Sequence, residues 1–249
     1  MTQEDTTQAA PALYRSGRSR LIYRGHSPGV IALAWSPDGT RIASGGLQQP
    51  VHIWDATTGE TLLSYSGHPA DVFALTWSPD GRSIASTGDD NTAQIWDVHS
   101  GVTRLTYRGH HNSIRTIDWS PAGTYIVSGS DDNTVQLWDA ASGEMRVCYR
   151  AHESGRYGID VVSWSPAGRS IASVGDDNIV RIWEPENGET RLTYHGHEHD
   201  WCLALAWSSD GTRIASAGSD IQVWNVSNGE RYMRYSDHAS ETNWIDALA

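Results

Sequence analysis

Lysine is absent from the 249 residues, so all 18 basic side chains are arginines. Whole mechanisms go with it: a P-loop has no phosphate-binding amine, a protein kinase no strand-borne lysine, and a Schiff-base enzyme no nucleophile. Phenylalanine occurs once, at Phe73, a bias that fits a GC-rich coding sequence of bacterial type. Cysteine occurs twice, at Cys148 and Cys202, with no CxxC spacing. That is too few for a disulfide framework, and a reducing, cytoplasmic setting is expected. No apolar run approaches the roughly 20 residues that cross a bilayer. The opening stretch MTQEDTTQAAPALYRSGRSR has neither a basic nor an apolar signal region, so no membrane association or export is expected. Positive charge is scarce as well: 30 acidic residues against 18 basic ones leave a formal charge of -12. With no dense basic cluster, nucleic acid is not an expected partner.

What the chain has in excess is tryptophan, 12 residues in a polar sequence of mean hydropathy -0.48. Ten of the twelve fall on two periodic series, Trp35, Trp77, Trp119, Trp164 and Trp207, and Trp54, Trp96, Trp138, Trp183 and Trp224. A third series, His26, His68, His110, His152, His197 and His238, keeps step with them. Repeats of about 40 residues are the mark of stacked or radial architectures. Within one unit, Val72 to Trp77 alternates as a strand, and Ser78-Pro79-Asp80-Gly81 follows with type I turn chemistry. Ser83 to Ser86, Ala93 to Trp96 and Val102 to Tyr107 complete four strands, separated by Asp89-Asp90-Asn91 and Ser100-Gly101. Four-stranded units of this length, packed face to face about an axis, make an all-β propeller.

The segment GHPADVFALTWSPDGRSIASTGDDNTAQIWD resembles the WD40 repeat, with its GH opening, SPDG turn, Asp before the third strand and closing Trp-Asp. The likeness extends over residues 17–249 and is that of a bacterial-type member, although WD40 propellers commonly have seven blades. It implies a hydrogen-bonded chain from the Trp indole through a serine and the GH histidine to the turn aspartate. By position these sets are His68, Ser86, Asp90 and Trp96; His110, Ser128, Asp132 and Trp138; and His152, Ser173, Asp177 and Trp183. Ser, His and Asp together also make a hydrolase triad. Recurrence in blade after blade, and the lack of a GxSxG turn, favour architecture over catalysis. In the first unit Gln48 stands where the Asp is expected, and in the fifth the turn Gly218-Ser219-Asp220 is two residues short, so these two blades are expected to be the weaker ones.

Residues 17–24, GRSRLIYR, match GVTRLTYR at 101–108, whereas the closing DHASETNWIDALA matches the opening of a unit. The expected layout is a disordered tail at 1–16 and a propeller at 17–249, with repeats near 25–66, 67–108, 109–150, 151–195 and 196–236 and a partial one at 237–249. That makes five complete four-stranded blades plus the first and last strands of an incomplete sixth. Three arrangements fit: a piece of a longer propeller, which is favoured, a second molecule supplying the middle strands, or five blades closing alone. Unpaired edges of this kind invite self-association.

Positions that differ between similar repeats are those the architecture leaves free. The spacing from the repeat His to the first Trp is 9 residues in three units, but 12 in the fourth and 10 in the fifth. The longer loops carry Arg156, Tyr157, His199 and Trp201, and Trp244 repeats the position of Trp201 one unit on. Aromatics and arginine on an exposed rim are the residues that carry interface energy. Asp89, Asp131 and Asp176 add an acidic sector, and Phe73 and Arg115 share one innermost-strand position that reaches toward the channel mouth. Ala32, Ala74, Thr116 and Ala204 read as small, channel-facing positions. His195, His197 and His199 do not read as a metal site, because His197 belongs to the blade series; no metal or cofactor is expected. The expected function is a non-catalytic scaffold for a protein or peptide partner on its top face. The alternatives are an accessory propeller of a kinase- or NTPase-type regulator and, behind it, a Ser/His/Asp hydrolase.

Overall fold

The computed structural model describes residues 21–27, 29–150, 152, 158–197, 201–236, 245 and 247–248, and the expected tail at 1–16 lies outside them. Among the described residues there are 20 strands and no helix, arranged as five antiparallel sheets of four strands in chain order. Blade 1 comprises β1 (Val30–Trp35), β2 (Arg41–Gly46), β3 (Val51–Asp55) and β4 (Thr61–Tyr65). Blade 2 comprises β5 (Val72–Trp77), β6 (Ser83–Gly88), β7 (Ala93–Asp97) and β8 (Thr103–Tyr107). Blade 3 comprises β9 (Ile114–Trp119), β10 (Tyr125–Ser130), β11 (Val135–Asp139) and β12 (Met145–Tyr149). Blade 4 comprises β13 (Ile159–Trp164), β14 (Ile171–Gly175), β15 (Val180–Trp183) and β16 (Thr190–Tyr194). Blade 5 comprises β17 (Ala204–Trp207), β18 (Arg213–Ala217), β19 (Ile221–Asn225) and β20 (Arg231–Tyr235). First strands of successive blades adjoin, β1 to β5, β5 to β9, β9 to β13 and β13 to β17, which is the radial order of propeller blades.

Local chemistry explains the turns. The Gly81 N–H donates to the Ser78 carbonyl at 2.8 Å, and Gly81 sits at φ +67°, a conformation that glycine adopts without a Cβ penalty. The Asp of the Trp-Asp pair caps the next turn: Asp97 Oδ1 accepts the His99 and Ser100 amides, each at 3.0 Å. Such side-chain acceptors replace a backbone partner where the ladder ends.

Each first strand in blades 1 to 4 carries a β-bulge four residues before its Trp. Val72 pairs with Gly88 and Ala74 with Thr87, leaving Phe73 outside the ladder; Ile31, Arg115 and Asp160 are displaced in the same way. The extra residue breaks the alternation of faces. As a consequence the small residues expected to face the channel in these blades lie in the seam between blades instead: Ala32 and Thr116 are buried, and Ala74 packs on the blade 3 core, while Ala204 is buried in blade 5, whose first strand pairs without a bulge. Thr116 Oγ1 accepts the Val162 amide of blade 4 at 3.1 Å. Side chains here are small because strands of adjoining blades approach closely, as an added Cβ at Gly129 would meet Thr116 and Ile159.

The core lies between blades. Val51, Ile53 and Tyr65 of blade 1 pack on Val72, Leu75, Trp77, Ile84 and Trp96 of blade 2, and the arrangement repeats. At each seam the tyrosine closing one blade stacks on the buried indole of the next. Tyr65 lies 4.2 Å from Trp96, Tyr107 4.4 Å from Trp138, Tyr149 4.9 Å from Trp183 and Tyr194 4.4 Å from Trp224. The Tyr107 hydroxyl also donates to Gln136 Oε1 at 2.6 Å, and Tyr194 to Gln222 Oε1 at 2.7 Å.

The two edges of a sixth blade are also marked. Tyr23 stacks on Trp54 at 4.7 Å, with its hydroxyl 2.9 Å from Thr61 Oγ1, repeating the contacts of Tyr65 with Trp96 and Thr103. At the far side the Ile245 amide donates to the Gly218 carbonyl at 3.0 Å, against blade 5.

Tyr107→Leu removes the stack and leaves the buried Gln136 carbonyl oxygen without its hydroxyl, and is expected to cost about 2–4 kcal/mol in urea unfolding. Tyr232→Leu, at a side chain 69% exposed, is the control. Its expected change is within about 0.5 kcal/mol.

Candidate functional site: polar knots and a charged mouth

Blades 2 to 4 each hold a closed polar chain. The Trp96 indole donates to Ser86 Oγ at 3.1 Å, His68 Nε2 lies 2.8 Å from that oxygen, and His68 Nδ1 lies 2.9 Å from Asp90. In blade 3 the distances are 3.1 Å for Trp138 to Ser128, 2.9 Å for His110 to Ser128 and 2.9 Å for His110 to Asp132. In blade 4 they are 3.3 Å for Trp183 to Ser173, 2.9 Å for His152 to Ser173 and 2.9 Å for His152 to Asp177. Ser86, Ser128 and Ser173 are each 0% exposed.

Burial pushes these carboxyls up, but the histidine hydrogen bonds and charge outweigh it, joined by hydroxyl and amide donors at Asp90 and Asp132 and by the Arg181 guanidinium at Asp177. Asp90, Asp132 and Asp177 are therefore held below the ordinary carboxylate range.

The outer blades differ. Blade 1 keeps the bonds from Trp54 and His26 to Ser44, at 3.1 and 2.7 Å. Gln48 takes up the left-handed turn residue at φ 48°, and its amide donates to Asp71 of the next blade. His26 packs on His52 at 4.7 Å, and burial, followed by the His52 charge, lowers its pKa. In blade 5 the short turn still delivers a carboxylate. Asp220 lies 3.8 Å from His197 Nδ1, beyond hydrogen-bond reach, and pairs with Arg234 instead.

The bulged residues converge with the acidic turn residues. Arg115 makes a two-pronged contact with Asp131, Nε to Oδ1 at 3.0 Å and Nη2 to Oδ2 at 2.7 Å, while its guanidinium lies 4.5 Å from the Phe73 ring centre. Asp89 accepts the Ser113 hydroxyl at 2.6 Å. Asp160 joins them from blade 4, where burial, followed by the charges of Asp176 and Asp131, pushes its pKa up to about 7 against the opposing pull of Arg115. Sequence reasoning passed over Asp160, although it holds the same repeat position as Phe73 and Arg115.

Trp201 is 52% exposed at the start of blade 5. Its expected neighbours Arg156, Tyr157 and His199, and the equivalent Trp244, lie outside the described residues. Among the described residues no group of three or more His, Cys, Asp and Glu side chains is arranged to hold a metal.

A carboxyl with a depressed folded pKa contributes stability above its unfolded value that is lost as pH falls through the folded value. Unfolding free energy is therefore expected to drop from about pH 5 toward pH 2, and Asp132→Asn to flatten that slope. Ser128→Ala, which strands the Trp138 and His110 ring nitrogens, is expected to cost about 2–3 kcal/mol in urea titrations.

The family model described as WD domain, G-beta repeat matches residues 17–55, 59–97, 101–139, 143–184 and 188–225. From the second repeat on, its frame begins on the last strand of the preceding blade. Two curated relatives, both named Protein HIRA, are similar over 39 residues: one from Zea mays at 44% identity and one from Oryza sativa subsp. japonica at 46%. The matched stretch is 16% of this chain and 4% of either relative. With five matched repeats covering most of its length, five sheets in radial order and a Trp–Ser–His chain in each, this chain belongs to the WD40 repeat family.

Proposed function

We propose that the chain is a non-catalytic scaffold whose top mouth binds a basic segment of a protein partner. WD40 repeats indicate a protein-interaction scaffold, and the finer reading draws on the mouth itself. The observation that carries it is the gathering of Asp131, Asp89 and Asp160 around Arg115 at the bulged first-strand positions, with Asp131 already engaging that guanidinium. Carboxylates crowded at partial burial repel one another, and an incoming cation relieves that repulsion. Phe73 offers an apolar and π face beside them, and Trp201 a second exposed aromatic. A guanidinium or ammonium group on a peptide matches this chemistry. The lysine-free, acidic composition suits a cytoplasmic acceptor for basic segments.

The burial of the repeated serines supports a non-catalytic role. A nucleophile must meet its substrate, and these hydroxyls are enclosed by their own blades and already accept an indole N–H. A fluorophosphonate probe is expected to label no serine of the folded chain, and stoichiometric labelling of a single serine would restore the hydrolase reading.

Arrays of arginine- and lysine-containing peptides probe the mouth directly. Binding is expected to weaken as pH falls below about 7, where Asp160 takes up its proton. Asp160→Asn is expected to weaken binding about tenfold at pH 8 and to remove the pH dependence. A raised folded pKa destabilises the fold progressively as pH rises from the unfolded value of about 4 to the folded value of about 7, so the same variant is expected to melt higher than the parent at pH 8 and by a smaller margin at pH 5. Peptide binding that is indifferent to both pH and Asp160 overturns the reading.

A further inference from the structure

Blade 1 holds its histidine in a different electrical setting from blades 2 to 4. In those blades the Nδ1 edge of His68, His110 and His152 meets an aspartate at 2.9 Å. In blade 1 the same nitrogen of His26 is buried and has no hydrogen-bond partner among the described residues. A second imidazole, His52, stands at the strand position that carries Gln94, Gln136 and Arg181 in the other three. The two rings lie 4.7 Å apart, centre to centre, with His52 Nδ1 2.9 Å from Ser64 Oγ. Tyr23 meets both rings edge-on, at 6.0 and 6.2 Å, while its own ring stacks on Trp54.

A proton has opposite effects in the two settings. On His110 it places a cation against Asp132, and both ring N–H groups keep a partner. On His26 it leaves a charged N–H at Nδ1 with nothing to receive it, and the charge falls on the neighbouring His52 ring. No carboxylate offsets this, since none acts on either ring. The segment before blade 1 contributes Tyr23 and the exposed Arg24; β2 contributes Ser44, β3 Trp54 and β4 Thr61 and Ser64. The turn between β2 and β3 contributes Gln48, whose amide donates to Asp71 of blade 2.

We propose that the His26–His52 pair is an acid-released latch: with both rings neutral it holds residues 21–27 on blade 1, and protonation frees that segment and uncovers the Trp54 indole. What the latch secures is the Tyr23 stack on Trp54, the Tyr23 hydroxyl at 2.9 Å from Thr61 Oγ1, His26 Nε2 at 2.7 Å from Ser44 Oγ, and Leu21 against Gly59. Burial lowers the pKa of both rings, joined at His26 by the His52 charge and outweighing a hydrogen bond at Ser44. Histidines of the released segment titrate near the ordinary value of about 6.5. The open form therefore takes up protons that the closed form refuses, and the latch weakens as pH falls below that value. Its opening constant gains up to about tenfold per pH unit for one proton and about a hundredfold for two. The knots of blades 2 to 4 outlast it, because their aspartates stay ionised to lower pH. Asp160 belongs to blade 4, so a pH response at Trp54 is a result separate from the peptide-binding reading.

Hydroxyl-radical footprinting of the full chain, read by mass spectrometry, reports each indole separately. Trp54 is 8% exposed beneath Tyr23, and Trp138, with Tyr107 and His110 in the same places, is 0% exposed. Between pH 7.5 and pH 5.5 the Trp54 label is expected to rise about threefold or more while that of Trp138 stays level. His52→Gln, which restores the residue type of Gln94 and Gln136, is expected to leave a shallower rise. Exchanging residues 47–50 for the sequence of residues 131–134 keeps the turn length and brings in the carboxylate that Asp132 supplies to His110. That variant is expected to keep Trp54 covered at both pH values. A Trp54 label that ignores pH in the parent chain overturns the inference. So does a rise shared by Trp138, which marks a general loosening of the blades, or a rise undiminished in both variants.

Discussion

Everything in this molecule hangs on the indole of each third strand. It is large enough to fill the seam between blades, and its single N–H must be satisfied once it is buried. The serine of the neighbouring strand accepts that proton, the histidine closes on the serine, and the aspartate closes on the histidine. The tyrosine of the preceding blade then lies on the exposed ring face. One side chain therefore couples the inside of a blade to the outside of its neighbour. A break in either half is felt in both, because a buried polar chain is stable only when every member is paired.

The same lattice leaves a few positions unused. A bulge in the first strand of blades 1 to 4 expels one residue from the ladder. Phe73, Arg115 and Asp160 fill that position with an aromatic, a cation and an acid. Their convergence with Asp131 and Asp176 concentrates charge where water is partly excluded, so the interactions are stronger than on an open surface. The polar knots and the charged mouth are kept on separate residues. The knots lie inside the blades, and the mouth is built from side chains that the knots do not need.

Modular packing also explains the outer faces. A blade is stable only with both faces covered, since the hydrophobic contribution comes from the seam rather than from the sheet alone. Blades 2 to 4 have two seams. Among the described residues blades 1 and 5 have one each, and Tyr23 and Ile245 hold single positions on their outer faces. The departures at Gln48 and at Gly218-Ser219-Asp220 occur in these same two blades, where the histidine lacks a hydrogen-bonded turn carboxylate.

The repeat, the strands, the turns and the all-β blade architecture are determined by the sequence alone, because each depends on residues within one unit. Proline, glycine and aspartate set the turns, alternation sets the strands, and recurrence marks the Trp, Ser, His and Asp that the structure places within hydrogen-bond distance. The Tyr series, Tyr23 through Tyr235, was equally periodic and went unread, since its partner lies in the next blade and not in its own. Only the tertiary structure decided which positions face a seam and which face the mouth. The bulge shifts the alternation by one residue, so Ala32 and Thr116 turned from the channel into the seam while Asp160 turned toward Asp131 and Asp176. Contacts between blades are set by lateral packing across the axis, and that distance is written nowhere in the spacing of a single repeat.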